Sequence, residues 1–145
     1  FRLLRALQDR GLLGVLRARV REGMPYMGAS AGSNMACPTI RTTNDMPIVE
    51  PAGFAALGVI PFQLNPHYLD PAPDSEHMGE TRETRILEFL EDNDVPVLGL
   101  REGGWLVRRG DELHLAGQRA ARLFRPGAEP VEIESPADLG DLLRR

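Results

Sequence analysis

Tyr26-Met27-Gly28-Ala29-Ser30-Ala31-Gly32-Ser33-Asn34 contains Gly-x-Ser-x-Gly, with a short apolar approach before it and small residues after it. That pattern suits a nucleophile elbow, in which a strand turns sharply into a helix and lifts a serine hydroxyl clear of its surroundings. Gly28 and Gly32 remove side chains where strand, turn and helix crowd together, and Ala29 and Ala31 add only a methyl. A helix starting after Ser30 aims free backbone N–H groups at the oxygen of an attacked carbonyl. The competing reading is a small-residue turn whose serine caps a helix.

Upstream, residues 1–9 bring Phe1, Leu4 and Leu7/Gln8 to one helical face, with arginines between them, and Gly11 breaks that helix. A second helix carries apolar Leu12, Leu13, Leu16 and Val20 and solvated Arg17, Arg19 and Arg21. Gly23 and Pro25 end it, and Tyr26-Met27-Gly28 is expected to be a short strand. Helix, turn, strand, serine and helix in that order is α/β grammar.

Downstream, Pro38 closes the helix after the elbow. Cys37 has no His or Asn at a recognisable spacing and is read as a buried structural thiol rather than a nucleophile. The polar loop Arg41-Thr42-Thr43-Asn44-Asp45-Met46-Pro47 is either a set of Asx-type turns or an active-site wall. Residues 53–58 read as a helical turn, and residues 59–64 as a buried strand running into Asn65-Pro66-His67. A histidine just past a strand's C-terminal end sits where open α/β sheets bind ligands. His77 lies in a polar loop and His114 on a hairpin strand, without that setting.

Residues 79–92 form an amphipathic helix with Ile86, Phe89 and Leu90 inward. Arg82 and Arg85 stand in its first turns, where cations oppose the helix macrodipole. Either one serves a ligand carboxylate or both pair with glutamates. A second buried strand, residues 95–100, ends at Glu102, so Glu102 and His67 hold equivalent places. Residues 105–109 and 112–116 flank Gly110-Asp111 as a hairpin, and residues 121–124 and 131–134 flank a second turn. Ser135-Pro136 is expected to start a short helix.

The bounds are consistent with one domain: 145 residues, 42% hydrophobic and 26% charged, with a net charge of −4. That charge gives no case for nucleic acid or an anionic membrane, and no apolar run is long enough to span a bilayer. The single cysteine excludes an internal disulfide and is compatible with a reducing compartment. No His/Cys/carboxylate cluster has metal-ligand spacing, so neither metal nor cofactor is expected.

Gly28-Ala29-Ser30-Ala31-Gly32-Ser33-Asn34, the run from Ala36 to Pro47, Asn65-Pro66-His67, Gly79-Glu80-Thr81-Arg82-Glu83 and Glu102-Gly103 together resemble the peptidase E family. These are cytosolic α-aspartyl dipeptidases, serine peptidases with a glutamine-amidotransferase-like fold. The resemblance weakens after about Trp105. It implies hydrolysis of dipeptides with an N-terminal aspartate and a cytoplasmic location. It also implies that Ser30 is the nucleophile, His67 the base and Glu102 the acid that orients it, with Asp45 as rival or auxiliary carboxylate. The Ala31 N–H would be half of an oxyanion hole, and Arg82 would bind the aspartyl carboxylate, with Arg85 as the neighbouring candidate. Ala29 stands where enteric members carry tryptophan.

The expected architecture is a three-layer α/β fold, a mainly parallel sheet flanked by helices, with a C-terminal hairpin region. The family's N-terminal half, with its Gly-Gly-x-Thr stretch, is not among these residues. Residues 1–145 are therefore expected to be a partial catalytic domain with an exposed sheet edge and little activity alone. A small peptide is the expected partner, and a homo-oligomer stays open. The alternatives are a related isoaspartyl or cyanophycin-type peptidase, or a catalytically silent binding domain on the same scaffold.

Overall fold

The computed structural model describes residues 1–71 and 79–144; the loop around His77 lies outside the described residues. In chain order the elements are α1 (Arg2–Asp9), α2 (Leu12–Arg21), α3 (Ala31–Ala36), β1 (Gln63–Pro66), α4 (Arg82–Asp92), β2 (Val97–Leu100), β3 (Gly104–Arg109), β4 (Glu112–Gly117), β5 (Ala121–Phe124), β6 (Val131–Ile133), β7 (Ala137–Asp138) and a 3-10 turn, Gly140–Leu143. The result is a mixed α/β fold.

β1 and β2 pair in parallel, with Gln63 opposite Val97 and Pro66 opposite Leu100. A parallel pair needs a long crossover, and α4 lies on it. β5 runs antiparallel to β2, and β6 to β5, so the sheet order is β1-β2-β5-β6. Strand residues alternate between faces. Val97 and Phe124 pack with Ile86 and Leu90 of α4, whereas Leu98 and Leu123 pack with Ala36, Leu113 and Leu115. One face thus carries α4, and the other carries α3 and the antiparallel sheet β3-β4-β7. A third cluster joins Leu4 of α1 to Met35, Ile40, Ala56 and Leu57.

The expectation of a mainly parallel sheet needs correction. Among the described residues one pair is parallel, because the β5–β6 hairpin joins the sheet through its antiparallel edge. Tyr26-Met27-Gly28 is not a strand: it pairs with no described strand and residues 21–30 are exposed, Met27 to 98%. Residues 59–62 form no strand either; pairing begins at Gln63.

Residues 53–58 are not helical; Ala55 forms an isolated antiparallel bridge with Thr39. Their backbone bonds go across to the end of α3 and the residues after it: Ala56 N–H to Pro38 O, Leu57 N–H to Met35 O and Gly58 N–H to Cys37 O, each 2.9 Å. Arg17 is not solvated. It donates to the carbonyls of Leu57 (3.0 Å) and Ala56 (2.6 Å). Ser135 starts no α-helix; its hydroxyl donates to Gly117 O (2.9 Å), and Ala137 and Asp138 pair with β4. The two hairpins lie where Gly110-Asp111 and the 126–129 turn predict them.

Candidate active site

Ser30 holds φ 51° and ψ −112°, an uncommon backbone conformation for a residue with a side chain, and α3 begins at the next residue. Such outliers concentrate at functional sites. The Ser30 side chain makes no capping hydrogen bond to α3, so helix capping does not account for it. A Cβ on Gly28 would lie 2.6 Å from the carbonyl of Gly32, which explains the glycine there. Gly32 has more room, with the Tyr26 hydroxyl 3.8 Å from a built Cβ. That hydroxyl donates to Gly32 O at 2.6 Å and ties the approach to the helix. Ala31 is the first helical residue, so its N–H has no intrahelical partner.

His67 follows β1 directly, with φ 56°. Side chains from α3 and the residues that follow it hold the outer side of β1. Leu64 O accepts from Asn34 Nδ2 (3.0 Å) and Thr42 Oγ1 (2.8 Å), and Pro66 O accepts from Asn44 Nδ2 (2.7 Å). Leu64 N–H donates to the Cys37 sulfur (3.1 Å). The 41–47 loop therefore buttresses the strand that presents His67. Its Asx-like turns are also present, as in the Asp45 N–H to Thr43 Oγ1 bond (3.2 Å).

The imidazole Nδ1 of His67 is hydrogen-bonded to Glu102 Oε1, across the ends of the two parallel strands. Ser30, His67 and Glu102 line one cleft of about 1120 Å³, shared with Tyr26, Trp105 and Leu106. Asp45 does not line it; it is exposed and borders a smaller recess with Phe1 and Met46. Of the two candidate carboxylates, the structure brings Glu102 to His67.

Neither Arg82 nor Arg85 is among the residues that line the cleft, and the two differ in their surroundings. Arg85 pairs with Glu80 at 3.2 Å. The Arg82 Nε is buried with no hydrogen-bond partner among the described residues. Burial, then the nearby Arg85 charge, pushes the Arg82 guanidinium below its usual range. α4 itself starts on Thr81, whose hydroxyl accepts from Thr84 N–H (3.0 Å). Cys37 is buried, and desolvation pushes its thiol up to about 12, which fits a structural role.

Sequence reasoning passed over Arg101, Tyr68 and Asp70. Arg101 donates to both oxygens of Asp70 and both of Glu132, and Tyr68 donates to Glu83. The only local signal was position, since each follows a strand end within four residues.

The profile of Peptidase family S51 matches residues 1–116. Peptidase E of Streptomyces coelicolor is 64% identical over 143 residues, covering 99% of this chain and 59% of that protein. Peptidase E of Shewanella amazonensis is 52% identical over 145 residues, covering 99% and 61%. A Drosophila melanogaster protein named "Probable alpha-aspartyl dipeptidase" is 47% identical over 146 residues, covering 100% and 61%. The chain thus spans 59–61% of the length of these relatives.

Proposed function

Because the chain belongs to peptidase family S51, we propose that the protein is a cytoplasmic serine-type dipeptidase that hydrolyses dipeptides with an N-terminal aspartate. The observation that carries this reading is the His67–Glu102 hydrogen bond in the cleft that Ser30 lines from a positive-φ turn. For the cytoplasm, the support is the family resemblance together with one buried thiol and no disulfide. No helix among the described residues is long and apolar enough to cross a membrane.

Ser30 Oγ attacks the peptide carbonyl while His67 Nε2 takes its proton; Glu102 accepts from Nδ1–H and steadies the imidazolium. The developing oxyanion receives the Ala31 N–H, at the start of α3. The protonated His67 then gives its proton to the departing amine, and the aspartyl ester on Ser30 remains. Water attacks that ester, with His67 again as base, releasing aspartate and free Ser30. Arg82, with its unpaired Nε, receives the substrate's aspartyl carboxylate. Arginine suits this, since its fork binds a carboxylate through two bonds.

Assaying Asp-Leu beside Glu-Leu, isoAsp-Leu and an acyl ester tests the proposal. Turnover of Asp-Leu far above the rest is expected. Preference for isoAsp-Leu moves the protein to isoaspartyl chemistry, and no turnover of any substrate leaves a binding domain.

A further inference from the structure

Arg101 precedes Glu102 and, like it, borders the cleft. All five of its N–H donors are engaged. Nε and Nη2 meet the two oxygens of Asp70 at 2.9 and 2.6 Å. Nη1 and Nη2 meet the two oxygens of Glu132 at 2.9 and 3.0 Å. The remaining Nη1 hydrogen meets Ala120 O at 2.8 Å. The guanidinium also lies 5.4 Å from the centre of the Tyr68 ring. Its side chain is only 16% exposed.

Asp70 and Tyr68 belong to the segment that leaves His67, and Glu132 belongs to β6. One guanidinium therefore joins the segment after β1, the segment after β2 and the β5–β6 hairpin. The pair it brackets is the more exposed one: the side chains of His67 and Glu102 are 48% and 74% exposed. Two short, solvated side chains on neighbouring segments keep one geometry only if their backbones are fixed. Tyr68 N–H to Leu100 O (3.1 Å) is a further tie beside them.

We propose that Arg101 is a positioning residue for the His67–Glu102 pair, acting through its double carboxylate clamp on Asp70 and Glu132. This rests on the catalytic reading of His67, and its first test does not need turnover. The chain has three histidines, so selective ¹⁵N-histidine labelling reads the His67 Nδ1 bond to Glu102 directly. In Arg101→Met, measured well below its unfolding midpoint, that ring-nitrogen signature is expected to be lost. Arg101→Lys, which keeps the charge but lacks the fork, loses it too.

Fluorophosphonate labelling of Ser30 should slow about 10- to 100-fold in Arg101→Met, the scale of a small misplacement at a reacting pair. A merely structural role predicts the same loss in any background. If Arg101 acts through Glu102, adding Arg101→Met to Glu102→Gln slows labelling less than about twofold more, a strong coupling in the mutant cycle. An unchanged His67 signature, or additive losses, overturns the proposal. If Arg101→Met does not fold, Asp70→Asn, whose carboxylate is half exposed, carries the same comparison. A wild-type protein that shows the signature yet fails to cleave Asp-Leu defeats the dipeptidase reading and not this one.

Discussion

The Tyr68 hydroxyl donates to Glu83 Oε2 at 3.0 Å, joining the residue after His67 to the residue after Arg82. Arg122 reinforces the link through its ion pair with Glu83 at 3.2 Å. The spacing between the proposed base and the proposed carboxylate-binding cation is therefore held by a direct bond. Removing it in Tyr68→Phe should raise KM for Asp-Leu about fivefold, the worth of about 1 kcal/mol, while changing kcat less. A kcat loss with constant KM would show that the bond serves the chemistry instead.

Ser30 combines a reactive position with an unfavourable backbone. Ser30→Ala should keep the fold and lower kcat by at least about 10³-fold. Ser30→Gly should be equally inactive but more stable, because glycine adopts φ 51° without strain. Thermal unfolding of the three proteins checks this: equal midpoints for Gly and Ala would mean the turn stores no strain.

Glu102 contacts His67 and Asp45 borders a different recess. Glu102→Gln is expected to lower kcat at least about tenfold. Asp45→Asn should leave kcat within about twofold. Steady-state kinetics on Asp-Leu decides, and a kcat loss confined to Asp45→Asn reverses the roles.

Arg82→Ala should raise KM for Asp-Leu and narrow its advantage over Ala-Leu by about 10-fold or more, since a buried carboxylate left unpaired costs about 1–3 kcal/mol. Arg85→Ala should do neither, because Arg85 is spent on Glu80. Competition between the two dipeptides measures the selectivity.

Hydrogen bonds from Arg101 are the main reason that Asp70 and Glu132 are held below the usual carboxylate range. Groups with depressed folded-state pKa values add stability above their unfolded values, near pH 4, and lose it as the pH falls through the folded values. Acid unfolding of Arg101→Met should therefore begin at higher pH than in the wild type, with the difference between them closing at lower pH. A parallel offset down to pH 2 would exclude these carboxylates as the cause.

Local signals carried the parts of the fold that sequence reading recovered. Gly110-Asp111 sets a hairpin, the spacing of Ile86, Phe89 and Leu90 marks α4, and the runs before His67 and Glu102 contain β1 and β2. What it missed depends on distant partners. Residues 53–58 form no helix because α3 and the residues just after it accept the N–H groups of Ala56, Leu57 and Gly58, and nothing within the six residues reports that. Arg17 reads as solvated until Ala56 and Leu57 offer it carbonyls some 40 residues away. At the site, the Gly-x-Ser-x-Gly stretch and the two strand ends were visible. The clamp at Arg101 was not, because its carboxylate partners both stand 31 residues off.

β1 ends the four-stranded sheet, yet it is a poor template for another chain. An end strand invites addition through its unpaired N–H and C=O groups. Here the Leu64 carbonyl is taken by Asn34 and Thr42, the Leu64 N–H by Cys37, and the Pro66 carbonyl by Asn44. Proline has no N–H to offer. An incoming strand would have to displace four side chains before making its first ladder bond. The side chains that brace the histidine's strand thereby also shield this edge from pairing with another chain, and truncating them should promote self-association before it unfolds the chain.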